Sequence, residues 1–253
     1  GLIEPDALVS VARLPELQGI RNGGHTLHLG AAVTLREVSS HPDVRRRCPS
    51  LAHACAVVGN PRIRNVATIG GNLAEADYAS DPPSVLASLG AVGHIAGPGD
   101  RRRTVPVSGF VTGYFQTVLE EGEVLTHVDV PVEPARRVAY LKYRSRSSED
   151  RACVGVAARL DPAGDDHARV GDLDVVVAAV ASTPQRVPAA LDAARGERFD
   201  ASLAREVASA YGMAIRPLDD GRGSAWYRSR MIEVFVRRAV ESLLPGEEER
   251  GDA

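Results

Sequence analysis

The segment Thr68-Ile69-Gly70-Gly71-Asn72 restricts this chain of 253 residues more than any other. Two adjacent glycines follow Asn65-Val66-Ala67, which reads as a strand leading into a turn. Glycine accepts positive φ and lets the backbone approach a ligand closely. Successive amides in such a turn can converge on an anion, and the Thr68 and Asn72 side chains add hydrogen-bonding groups. Those are the parts needed to hold a diphosphate without a positive charge. A plain turn joining two elements would use the same residues.

Other chemistries lack their motifs. There is no G-x-G-x-x-G, P-loop, H-E-x-x-H or G-x-S-x-G pattern. Cys48, Cys55 and Cys153 form no C-x-x-C pair, so no iron–sulfur cluster or zinc site of ordinary spacing is expected. Cys55 shares an apolar helix face with Leu51, Ala54 and Val58 and reads as core. Histidines 25, 28, 41, 53, 94, 127 and 167 show no metal-ligand spacing and read as surface or strand residues. Hydrophobic residues make up 44%, enough for a sizeable core, and the net charge of −3 gives no bias toward nucleic acid. No apolar run nears the roughly 20 residues that span a bilayer. Neither a basic n-region nor an apolar h-region opens the chain, and the sparse cysteines suit a reducing cytoplasm.

The pattern of elements predicts an α+β fold. A strand is expected over 27–31, then a capping box at Thr34 and Glu37. A helix over 49–58 should end at Gly59 in a left-handed cap, with Pro61 beyond it. A short helix is expected over 83–89 and a hairpin from strands 92–96 and 103–107, with Arg101-Arg102-Arg103 at its tip. That arginine run reads as a solvated cluster, or as a docking site for an acidic partner. Residues 124–130 alternate with period two, as a strand does. Pro131 and Pro134 suggest a domain boundary. Strands over 138–144, 152–160 and 173–181, with a turn at 161–165, then precede helices over 189–195, 203–211 and 225–244. Strands followed by helices imply an antiparallel sheet with helices on one face.

From Gly59 through Pro83 the chain resembles the FAD-binding medium subunit of the carbon monoxide dehydrogenase and xanthine dehydrogenase family of molybdenum hydroxylases. That family has a T-I-G-G-N turn followed, nine residues after its Asn, by an Asp and then Pro; here the Asp is Asp81. Val124 to Val128, Tyr140 to Arg144 and Asp220 to Arg228 are similar to further family segments. The resemblance implies a truncated FAD-binding domain of the vanillyl-alcohol-oxidase (PCMH) type over 1–132. A small C-terminal domain of carbon monoxide dehydrogenase flavoprotein type would follow over 136–245, with a disordered tail over 246–253. It implies FAD contacts from Thr68, Ile69, Gly70, Gly71 and Asn72 at the diphosphate and from Asp81 at cofactor hydroxyls. Leu125 would sit at the flavin edge and Lys142 near the isoalloxazine, where a cation would favour reduced flavin; Lys142 also reads as an ordinary strand lysine. Val58 matches a position beside the cofactor or in the helix core. Asp81→Ala is expected to weaken FAD retention without unfolding the protein.

The family's first FAD loop, an A-G-G-T-D-L-like stretch, lies upstream of a segment matched here by Glu4 to Val9, so half of the diphosphate cradle is expected to be missing. The implied role is electron transfer. A large molybdopterin-binding subunit would oxidise substrate, 2Fe-2S clusters on a small subunit would relay electrons, and FAD on this chain would pass them to an outside acceptor. The expected assembly is a cytoplasmic dimer of heterotrimers. A flavin-free structural or assembly subunit is the alternative. A self-contained flavin oxidase of related fold is a third reading.

Overall fold

The computed structural model describes residues 6–164 and 166–245. The expected tail over 246–253, the start of the Glu4 to Val9 segment and Asp165 of the expected turn lie outside the described residues. In chain order the strands are β1 (Ile20–Asn22), β2 (Thr26–Gly30), β3 (Val92–Ala96), β4 (Arg102–Pro106), β5 (Val111–Gly113), β6 (Gln116–Thr117), β7 (Val124–Pro131), β8 (Arg137–Tyr143), β9 (Val154–Ala163) and β10 (Asp166–Ala178). The helices are α1 (Leu35–Ser40), α2 (Pro42–Arg47), α3 (Pro49–Ala56), α4 (Pro61–Arg64), α5 (Ile69–Glu75), α6 (Pro82–Ser88), α7 (Pro188–Ala194), α8 (Ala201–Ala214) and α9 (Ala225–Glu241).

Two antiparallel sheets organise the molecule. The first has the order β1-β2-β7-β3-β4, the second β10-β9-β8. Alternation sets the faces of the first sheet. Leu27, Leu29, Val128, Val130 and Ile95 turn into a core shared with α1, α3 and α6, while His28, His127, Asp129 and His94 turn the other way and stay partly exposed. Helices α8 and α9 cover the second sheet. Along α9, Ile232, Val236, Ala239 and Val240 recur at helical spacing and are fully buried.

Local signals account for the element ends. The Thr34–Glu37 capping box forms in full, and Gly59 takes φ +43° past the end of α3. Cys55 is buried among apolar neighbours, as its helix face implied. Three expectations need correction. Asp161-Pro162-Ala163 is not a turn; β9 runs through Ala163, and a register shift near Val170 absorbs the irregularity. Asn65-Val66-Ala67 is not a strand but the turn that follows α4, a helix capped by Asn60, whose side chain accepts from the Arg62 and Ile63 amides. The arginine run is not wholly solvated, since Arg103 makes a two-pronged pair with Glu123.

Helix α6 ties the two halves together. All seven of its residues are buried, because it packs on α3 and α5 on one side and on β9 and β10 on the other. Its two serines satisfy their hydroxyls on the preceding turn, Ser84 on the Asp81 carbonyl and Ser88 on the Val85 carbonyl, both at 2.9 Å. Tyr140, Ala157 and Val176 from the second sheet complete the first core.

Candidate functional site

The glycine pair is the first turn of a helix rather than a loop. Thr68 is the N-cap of α5, and its hydroxyl accepts the Gly71 amide at 3.0 Å. Ile69 donates to the Val33 carbonyl and Gly70 to the Ala31 carbonyl, both at 2.9 Å, and Asn72 closes the first helical bond onto the Thr68 carbonyl. The amides expected to converge on an anion therefore have protein partners, and the nest reading is corrected. The two glycines also differ. A Cβ on Gly70 would lie 2.5 Å from the Ala31 Cβ and 2.7 Å from its carbonyl oxygen, so glycine is needed there to seat α5 on the strand end. At Gly71, which is exposed, a Cβ would meet only the Thr68 hydroxyl, at 2.9 Å. Ile69 is fully buried and belongs to the core.

Asp81 and Lys142 come from opposite halves and meet directly. The Lys142 ammonium donates to Asp81 Oδ2 at 2.8 Å and to the Val57 carbonyl at 3.0 Å, and the Tyr140 hydroxyl donates to Asp81 Oδ1 at 2.5 Å. The Lys142 and Asp81 side chains are 2% and 3% exposed, so each is the other's compensation for leaving water. Burial pushes the Asp81 carboxyl above its ordinary value, opposed by the Lys142 charge and the Tyr140 hydrogen bond. Two sequence expectations change here. Asp81 does not present a free carboxylate, because both oxygens hold protein donors. Lys142 does not project an unbalanced cation, because Asp81 lies against it. Tyr140 was missed as a partner; its alternation with Lys142 on β8 would place both on one face.

Leu125 is buried on β7, opposite Ile95. The next residue joins it to the glycine segment: the Thr126 carbonyl accepts the Ala31 amide, and the Ala31 carbonyl accepts the Gly70 amide. Asn72 reaches the α6 side, where its Oδ1 accepts from the Ser80 hydroxyl at 2.9 Å. The structure thus gathers Thr68 to Asn72, Asp81 and Lys142 around α5 and α6, with Leu125 one strand end away. Val58 is half-buried against the same core. A groove between α7 and α8, lined by Ala190, Leu203 and Val207, includes none of these residues.

The donor set fits an oxygen-rich cofactor at one end only. The amide of the exposed Gly71 is already held by Thr68, whereas Thr68 Oγ1 and the Asn72 NH2 group belong to the open start of α5, and that NH2 donates to no protein group among the described residues. These are neutral donors of the type that bind a diphosphate. Asp81 and Lys142 lie behind them as a closed pair.

A second cluster escaped the sequence reading. Cross-strand register sets His28 opposite Asp129 and His94 opposite His127, so residues about 30–100 positions apart in sequence share one sheet face. These histidines are strand residues, as their sequence suggests; that they share one face could not be read from spacing along the chain.

Two family models match the chain. Residues 1–133 match the FAD-binding domain in molybdopterin dehydrogenase, and residues 139–243 match the CO dehydrogenase flavoprotein C-terminal domain. The chain is 32% identical over 240 residues to the carbon monoxide dehydrogenase medium chain of Hydrogenophaga pseudoflava, covering 94% of this chain and 82% of that protein. It is 29% identical to the glyceraldehyde dehydrogenase medium chain of Sulfolobus acidocaldarius, over 96% and 84% of the two. A solved carbon monoxide dehydrogenase from Hydrogenophaga pseudoflava that lacks the Mo-pyranopterin moiety of its molybdenum cofactor superposes with a TM-score of 0.89 at 34% identity, over 96% of this chain and 83% of that one.

Proposed function

This chain belongs to the family of FAD-binding subunits of molybdenum hydroxylases, and from that premise we propose that it is the electron-transfer subunit of such an oxidoreductase. Electrons would arrive from iron–sulfur clusters on a small partner, after a large molybdopterin-binding partner has oxidised the substrate, and leave to an external acceptor. Among the described residues no helix is long and apolar enough to cross a membrane. The reading includes a cytoplasmic dimer of heterotrimers and a division into domains over 1–132 and 136–245.

The observation that carries the proposal is the open start of α5, where neutral donors stand on a rigid helix end seated against the core by Gly70. Bound there, FAD supplies the one- and two-electron chemistry that the side chains lack. The chain's own residues bind and orient. Thr68 and Asn72 would hold the diphosphate by hydrogen bonds without adding charge, and Gly71, with no side chain, would let it approach the backbone. Gly70 and Ile69 fix the helix that carries them. Leu125 would close the flavin edge with apolar surface. Asp81 and Lys142 would act together as a neutral, preorganised dipole, so Lys142 would influence the flavin potential less than an isolated cation.

The test is the flavin content of the chain purified with its partner subunits. One FAD per chain, with bleaching of the flavin band when the complex is given its substrate, is expected. A complex that turns over with no flavin on this chain would overturn the proposal. It would favour the structural or assembly subunit, a reading to which the closed Asp81–Lys142 pair lends some support.

A further inference from the structure

The outer face of the first sheet carries His28 on β2, His94 on β3 and His127 and Asp129 on β7. Asp129 Oδ2 lies 3.0 Å from His94 Nε2, and Asp129 Oδ1 lies 3.9 Å from His127 Nε2. The imidazole rings of His94 and His127 stack with centroids 4.0 Å apart. One ligand atom from each of His94, His127 and Asp129 falls within 4.8 Å of the others. Tetrahedral ligands about 2.1 Å from an ion stand roughly 3.4 Å apart, and the two nitrogen–oxygen distances, each to a different oxygen of the Asp129 carboxylate, lie on either side of that value.

In the ion-free chain His94 donates from Nε2 to Asp129 Oδ2, and an ion would take that place with the His94 proton moving to Nδ1; the bonds around His127 already leave its Nε2 free. The Thr126 hydroxyl donates to the His94 carbonyl at 3.0 Å, so toward His127 Nδ1, 3.1 Å away, the same oxygen is the acceptor. His127 then carries its proton on Nδ1, and the Nε2 lone pair faces the Asp129 carboxylate with no hydrogen between them. A cation in that gap relieves the repulsion. His28 donates from Nδ1 to Asp129 Oδ1 at 2.6 Å and fixes the carboxylate. Outer hydrogen bonds of this kind orient ligands at metal sites. All four side chains are partly exposed, between 22% and 34%, so an ion can enter and keep solvent as a further ligand.

We propose that His94, His127 and Asp129 form a binding site for one divalent transition-metal ion of the zinc class, with His28 and Thr126 as positioning residues. Two imidazoles and one carboxylate are the donor set zinc takes with an open fourth position. The site lies on the sheet face away from the core, and the flavin proposal does not depend on it.

The experiment is titration of the chelator-treated full chain with Zn(II) alone, followed by calorimetry, with Co(II) as a spectroscopic substitute. We expect one Zn(II) per chain and the visible bands of four- or five-coordinate Co(II). His94→Gln and His127→Gln should each weaken Zn(II) binding at least 100-fold. His28→Ala should weaken it 10- to 100-fold, the usual effect of removing such a support. Thermal melts of the ion-free variants check that each folds, and His53→Gln, which leaves the cluster intact, should bind as the parent does. Failure of the folded parent chain to bind Zn(II), or equal affinity in the folded His94→Gln and His127→Gln variants, would overturn the proposal. Flavin content unchanged in every variant is the expected mark of a site separate from the cofactor.

Discussion

Lys142 is buried with its charge answered by Asp81 and the Val57 carbonyl, and Tyr140 holds the other oxygen of the same carboxylate. Removing one partner of a buried pair leaves the other uncompensated, which costs about 3–5 kcal/mol, whereas replacing both partners is far milder. Lys142→Met should therefore destabilise the chain by several kcal/mol in urea unfolding. Asp81→Ala should do likewise, contrary to the expectation that it would touch only the cofactor. The double variant should lose much less than the sum, and strict additivity would refute the pairing. Asp220 makes a residue-scale prediction of the opposite kind. Burial raises its carboxyl, but the Arg222 amide, Arg228 and Tyr78 outweigh that and bring it down to about 2. A carboxylate with a lowered folded value stabilises above its unfolded value, near pH 4, and loses that contribution as pH falls toward about 2. Melting temperatures of the parent and Asp220→Asn should therefore differ at neutral pH and converge in that acid window. A constant gap across it would discount the Asp220 network.

At the scale of elements, the two glycines of α5 separate fold from function. Gly70→Ala pushes a Cβ into Ala31, and overpacking of this sort costs about 1–3 kcal/mol; both stability and flavin retention should fall. Gly71→Ala faces open space apart from the Thr68 hydroxyl, so the melting temperature should hold while flavin retention drops. If Gly71→Ala leaves retention unchanged, the start of α5 is not the cofactor's seat. The capping box at Thr34 and the paired apolar stripe of α9 were legible in the sequence, because each rests on local spacing; Asp81 and Lys142 were singled out by resemblance to the family. The helical state of Ile69–Glu75 was not legible, since two glycines disfavour a helix interior and only the Thr68 cap and the Ala31 and Val33 carbonyls recover it. Asp81 and Lys142 could be named but not joined, and the histidine cluster was hidden altogether. Both depend on which strands and helices become neighbours, and spacing along the chain carries no record of that.

The whole molecule behaves as two matched segments with one continuous interior. Tyr140, Ala157 and Val176 sit in the first core, and α6 is buried between the sheets. Polar bonds cross as well: the Ala179 amide to the Tyr78 carbonyl at 3.0 Å, Tyr78 to Asp220 at 3.0 Å, and Arg186 to the Ala87 carbonyl at 3.1 Å. Domains joined by small polar interfaces move independently, but here separation would expose α6 and strand the Asp81–Lys142 charges. Calorimetry should give a single cooperative transition rather than two. The same coupling makes the cofactor a stabiliser of the whole chain. A ligand bound only by the folded state adds about 2.7 kcal/mol at a hundredfold excess over its Kd, and that gain reaches every amide which exchanges only through global unfolding. Saturating FAD should therefore slow hydrogen exchange in the middle of β9, whose Val154–Ala158 are fully buried or nearly so, as well as around α5. Protection confined to α5 and its neighbours, with β9 unchanged, would mean that the halves open separately and that α6 does not couple them.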